Sequence, residues 1–224
     1  MPRHPRAGLF ISKPALITNS ELKPYIGEKR FGQYFCNPTI QSPELSLETY
    51  KFDIELRGLL ISALGVIEVG LEAQLNQRGF QADLQSFGHA RKVLESAGSS
   101  EREFISRNLG ARNYKELRGA LQNLNYLRNR VAHHERVWNH RNPFSFPDFG
   151  SPTKEAKIHK GPNRRLIAWS LFGIEQILCA FPELLAFERQ FESLITSSSI
   201  DHHLLLTRSE ERRVGKECLR LCRS

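Results

Sequence analysis

The sequence sets a guanidinium, a carboxamide and two imidazoles close together: Arg128 and Asn129, then His133 and His134 about one helical turn later. An imidazole titrates near neutral pH and can take or give a proton. Such a group typically supplies about 10²- to 10⁴-fold in rate. A guanidinium offers a planar fork of donors that fits a phosphate and the extra charge of its transition state. A phosphodiester with its own neighbouring hydroxyl, which is what RNA carries, asks for little else, and its cleavage needs neither a metal nor another cofactor. On this reading His133 moves protons, Arg128 holds the phosphate, and Asn129 orients one or the other through its amide. His134 is open between a second acid or base and a core histidine.

The elements that must position these groups follow from the apolar pattern. Leu117, Leu121, Leu124, Leu127 and Val131 recur at intervals of three and four between Tyr114 and Trp138, as in a helix that buries one stripe. Arg128 falls inside the stripe and needs a receiver, because an unpaired buried charge costs on the order of several kcal/mol. Asn129 and His133, four apart, share a different face. Arg128 and His133 are five apart and diverge by roughly 140° on an ideal helix, so one regular helix does not aim both at one atom. Either the helix distorts there, or the site combines the arginine of one copy with the histidine of another.

The longer string, Arg128-Asn129-x-x-Ala132-His133-His134-x-Arg136-x-Trp138-Asn139, resembles the signature of the Abi-like proteins (abortive infection, AbiD/AbiF type). These are a bacterial branch of the HEPN superfamily, marked by an arginine, a polar residue and then a histidine. Upstream, Tyr50-Lys51-Phe52-Asp53, then Leu56-Arg57, then Ile67-Glu68 resembles the family's aromatic-Phe-Asp start, Leu-Arg and Ile-Glu pair. The resemblance implies an all-α, HEPN-like helical bundle with a short N-terminal extension. It also implies a homodimer that joins two motif helices into one composite site, which favours the second of the two geometries. The implied activity is that of a metal-independent ribonuclease in phage defence or a toxin-antitoxin system, in some members working with a small structured RNA or an antitoxin.

The upstream segment reads physically as a long amphipathic helix, with Phe52, Leu56, Leu59 or Leu60, Ala63, Ile67 and Leu71 as its buried stripe. Glu68 and Arg57 flank that stripe and are the candidates to receive Arg128 or support the site, together with Trp138 and Asn139. Arg130 and Arg136, with the basic run Lys154, Lys157, Lys160, Arg164 and Arg165, are the candidate RNA contacts. Plainer explanations exist for each residue: half of a structural ion pair for Arg128, a surface position for the histidines, a solvated loop for the lysines. A non-catalytic RNA-binding or dimerisation module is therefore the alternative reading. Metal hydrolysis through His133, His134 and His140 finds no HExxH or carboxylate spacing.

Composition sets the frame. The chain has 224 residues, 40% of them hydrophobic, and a formal charge of +8, enough for one globular domain with extensions. No apolar run reaches the length of a bilayer span, and Met1 to Arg6 leads into too short an apolar stretch for a signal peptide. Cys36 and Cys179 stand alone, without a disulfide or metal spacing, so a cytoplasmic protein is expected. Residues 208 to 224 read as the translation of a sequencing-library adapter and are expected to lie beyond the natural chain. They hold six basic and three acidic residues, and without them the charge falls from +8 to +5, still favourable to phosphate backbones.

Along the chain, residues 1 to 20 read as a basic, proline-containing arm, and the helical domain as residues 21 to 200. Ser20 caps a helix to about Tyr34, followed by a long helix from Leu45 to Gln77, stopped at Arg78-Gly79. Shorter helices are expected at 84 to 96 and 100 to 109, before Gly110 and the motif helix. Asn142 to Pro152 is too rich in proline for a helix. Its Phe144, Phe146 and Phe149 either stack on bases or pack on the bundle. Two closing helices, at 163 to 179 and 182 to 195, complete the expected bundle.

Overall fold

A computed structural model describes residues 19–35, 43–80, 86–147, 167–181 and 186–198. The described residues form eight helices and no strand. Residues 1 to 18 of the N-terminal arm, the basic run at 154 to 165 with Lys157, Lys160, Arg164 and Arg165, Phe149 and the tail after Ser198 lie outside them, while Asn19 and Ser20, expected as the arm's end and the helix cap, already belong to the first helix.

The chain divides into two compact units, residues 1–47 and 48–224. In the first, the single helix expected over 20 to 34 is two: α1 (Asn19–Ile26) and α2 (Glu28–Phe35). The reason is Gly27, whose φ of 78° a glycine adopts without steric cost. Lys23 and Glu28 bridge the corner at 2.7 Å, and Phe31 stacks on Phe35.

The second unit holds most of the 35-residue α3 (Pro43–Gln77), then α4 (Phe87–Ser96), α5 (Ser99–Asn108), α6 (Tyr114–Ala132), α7 (Ile167–Leu178) and α8 (Phe187–Ser197). The stripe expected on α3 is the one buried: Phe52, Leu56, Leu60, Ala63, Ile67 and Leu71. Leu60 rather than Leu59 completes it, and Leu59 lines an open groove between α3 and α8. Gly79, with φ of 79°, stops α3 where the sequence placed its end. The stripe of α6 is buried throughout, and this helix packs on α4, α5 and α7. At its start the Asn113 side chain accepts the Glu116 N–H. The Glu116 carboxylate reaches back to the N–H and guanidinium of Arg112, satisfying donors that a helix start leaves open.

Two aromatic rings need glycine. The Phe181 ring fills the place of a Cβ on Gly70 of α3, and Phe146 fills that place on Gly173 of α7. Among the described residues, no helix is long and apolar enough to cross a membrane.

Candidate functional site

The motif helix does not run on to Trp138, as its periodicity suggested; it ends at Ala132. The His133 N–H still reaches the Asn129 carbonyl at 3.0 Å, while the His134 N–H turns to Val131 and the Glu135 N–H to Arg130. This pair of reversed bonds is the Schellman closure. Its left-handed position, usually glycine, is held by His134 with φ of 54°. Without a glycine after Ala132, the stop is invisible to pattern reading.

The closure and the helix face together distribute the four motif residues. Taking Leu124 as the centre of the buried stripe, Arg128 lies about 40° away, Asn129 about 140° and His133 about 180°. Asn129, His133 and His134 are accordingly exposed, whereas Arg128 is partly covered. Of the two candidates to receive Arg128, Glu68 is the one that faces it, with 3.8 Å between Oε2 and Nε. The contact is long for a charge-assisted bond, and among the described residues the Nε hydrogen has no hydrogen-bond acceptor.

Arg57 instead holds the turn after the histidines, through a residue that the sequence did not single out. Asp53, fully buried, accepts the Val137 and Trp138 N–H groups on one oxygen, at 3.0 and 2.6 Å. Its other oxygen accepts Arg57 Nη1 at 2.8 Å. The same Nη1 lies 3.4 Å from the carbonyls of His134 and Glu135. The aspartate and arginine of α3 thus hold both ends of the segment beyond the histidine pair. The only signal of this was the Phe52-Asp53 start of the upstream pattern.

Arg130 is occupied by the same segment. Nη2 donates to the Arg136 carbonyl at 2.6 Å, and Nη1 pairs with Glu135 at 2.7 Å. Arg136 lies over the Trp138 ring. Trp138 is buried, with no acceptor for its indole N–H among the described residues, and Asn139 takes a left-handed φ of 49°. After it, His140 stacks beside Tyr126, its Nε2 at 3.1 Å from the phenol oxygen. Burial, and then the Arg130 and Arg136 guanidiniums, push the His140 pKa down to about 4 against a weaker pull from Glu135, so its ring is neutral at pH 7.

The structure therefore gathers Arg57, Trp138, Asn139, Arg130 and Arg136 around one rigid turn, presents Asn129, His133 and His134 outward from it, and sets Arg128 with Glu68 on the flank toward α3. Of the loop aromatics, Phe146 is buried and Phe144 exposed. Among the described residues, no three His, Cys, Asp or Glu side chains gather as a metal site would need.

No curated protein and no solved structure matches the chain. Residues 80–139, which take in α4, α5, α6 and the turn through Asn139, match the family model of the Abi-like proteins, and over that segment the chain is similar to them.

Proposed function

We propose that this protein is a metal-independent endoribonuclease of an abortive-infection system, and that two copies of the Arg128-Asn129-x-x-x-His133 motif form one site. The observation that carries the reading is the division of the motif: exposed His133 and Asn129 on one face, and a loosely paired Arg128 on another. A guanidinium held, among the described residues, by one carboxylate at 3.8 Å keeps donors for a phosphate. In the reaction the RNA 2'-oxygen attacks phosphorus, the 5'-oxygen leaves, and a 2',3'-cyclic phosphate remains. His133 takes the proton from the hydroxyl or returns one to the leaving oxygen, and Arg128 of the other copy stabilises the charge on the phosphoryl oxygens.

A surface for the second copy adjoins Glu68. Ile54, Ile61 and Val69 are exposed on α3, and no atom lies within 4 Å of a Cβ built on Gly58 or Gly65. All five share one face with Glu68, within about 60° of Ile54. An apolar stripe with open glycines suits close approach of another helix, and a homodimer is the occupant that the divided motif asks for. A small structured RNA or an antitoxin as a further partner follows from the family resemblance alone.

The test is incubation of the full chain with mixed RNA in EDTA, beside His133→Ala. Cleavage to cyclic-phosphate ends by the parent only, with activity per molecule rising with protein concentration, is the expected result. If neither chain cuts but both bind RNA, the non-catalytic RNA-binding module replaces this reading.

A further inference from the structure

The face of α6 that carries Asn129 and His133 continues toward Tyr126, seven residues before His133 and within about 20° of it on the helix. The His140 ring lies 5.8 Å from the Tyr126 ring at 19°, and the Phe144 ring meets Tyr126 edge-on at 6.1 Å. Phe144 is 36% exposed. The core does not need it, because Phe146, two residues on, is the ring that α7 receives.

The backbone under Phe144 is nonetheless fixed by buried polar groups. Its carbonyl accepts from Asn123 Nδ2 at 2.7 Å, and its N–H donates to Asn142 Oδ1 at 2.9 Å. Asn142 Nδ2 donates to the Asn123 carbonyl at 3.0 Å, and the Ser170 hydroxyl to Asn123 Oδ1 at 2.6 Å. Asn123, Asn142 and Ser170 are all buried. A satisfied buried network makes a segment rigid and specific, and here the backbone it holds carries an exposed ring on the side of α6 that leads to the proposed proton-transfer group. Preorganisation of that kind favours a ligand, since little ordering remains to be done on binding.

We propose that Tyr126, His140 and Phe144 form a stacking shelf for an unpaired base of single-stranded RNA, about two turns of α6 from the phosphate at His133. The inference rests on the reading that RNA occupies the motif. Every base has a π-face, so such a shelf binds single strands with little sequence preference. The neutral ring of His140 adds stacking surface without another charge, and exposed Arg141 offers a cation to the backbone.

The test uses the full chain with His133→Gln, so that RNA is not cut, and a fluorescent single-stranded RNA titrated by anisotropy. Phe144→Ala in that background is expected to weaken binding about tenfold, and Phe144→Trp to restore it, with unchanged melting temperatures. A 2-aminopurine in the RNA is expected to be quenched by the parent and not by the alanine variant. Equal affinity of parent and Phe144→Ala, or no binding by either, overturns the shelf. The ribonuclease reading is scored separately, by cleavage with the unaltered chain in EDTA. Cleavage with a Phe144-independent affinity leaves the ribonuclease without the shelf, and Phe144-dependent binding without cleavage leaves the shelf without the ribonuclease.

Discussion

Asp53→Ala is the substitution with the largest expected cost, and its size follows from the contacts. Removing the carboxylate takes from Arg57, 7% exposed, its partner at 2.8 Å, and the carbonyls of His134 and Glu135 lie farther off, at 3.4 Å. It also strips the acceptor from the Val137 and Trp138 N–H groups. Breaking a buried pair costs about 3–5 kcal/mol, and each orphaned donor about 1–3 kcal/mol. These are not additive, because relaxation of the turn serves all three groups at once, so a loss of about 4 kcal/mol is expected. Against a total stability of about 5–15 kcal/mol that is a large share, and for a chain of this size it lowers Tm by about 8–16 °C. Asp53→Asn, which keeps an acceptor for the N–H groups, is expected to lose about half as much and to stay folded. The measurement is urea and thermal unfolding by circular dichroism, with Arg57→Leu and the double variant to close the cycle. A loss below about 1 kcal/mol for Asp53→Ala, or strict additivity in the cycle, would falsify the idea that these residues act as one clamp.

Three further outcomes are expected. At the left-handed position of the Schellman closure, His134→Gly should be about 1 kcal/mol more stable than His134→Ala; equal stability in urea melts would show that the turn relaxes. Gly173→Ala sets a methyl where the Phe146 ring lies and should cost about 1–3 kcal/mol, a loss that Phe146→Leu in the same chain partly restores. His140 has a folded pKa lowered to about 4 from 6.5, so between those values the unfolded chain binds more protons. Its contribution to stability is complete above pH 6.5 and is lost as the pH falls toward 4; identical pH slopes of Tm for the parent and His140→Gln would contradict this.

Legibility in the sequence tracks the range of the interactions. The stripes of α3 and α6 were legible because each repeats every three or four residues over several turns, and both are buried. The partner of Arg128 was narrowed to two residues, of which Glu68 faces it. The end of α6 was not legible, because its Schellman closure uses histidine where glycine normally signals the stop. Nor was the role of Asp53: beside Arg57, four residues on, it accepts backbone N–H groups 84 and 85 positions away, which carry no residue-type signature. The shelf was half visible: aromatics marked the loop, but only the Asn123 network shows which ring stays outside.

One physical conflict organises the whole region. The helix that delivers Arg128 to the α3 flank must turn His133 away from it, and no choice of side chain alters an angle set by the backbone repeat. The fold does not relieve the conflict; it makes it permanent. The Schellman turn stops the helix at the histidines, the Asp53–Arg57 clamp fixes the segment from His134 to Trp138, and Arg130 ties the turn back to its own carbonyl at Arg136. A turn so firmly held cannot swing His133 round to Arg128 within one copy at small cost. In the proposed two-copy site a second copy brings its own Arg128 instead, and the face of α3 that carries Glu68 is apolar and open among the described residues. On the proposed two-copy reading, the held turn and the exposed face have one common reason: His133 of one copy meets Arg128 of the other.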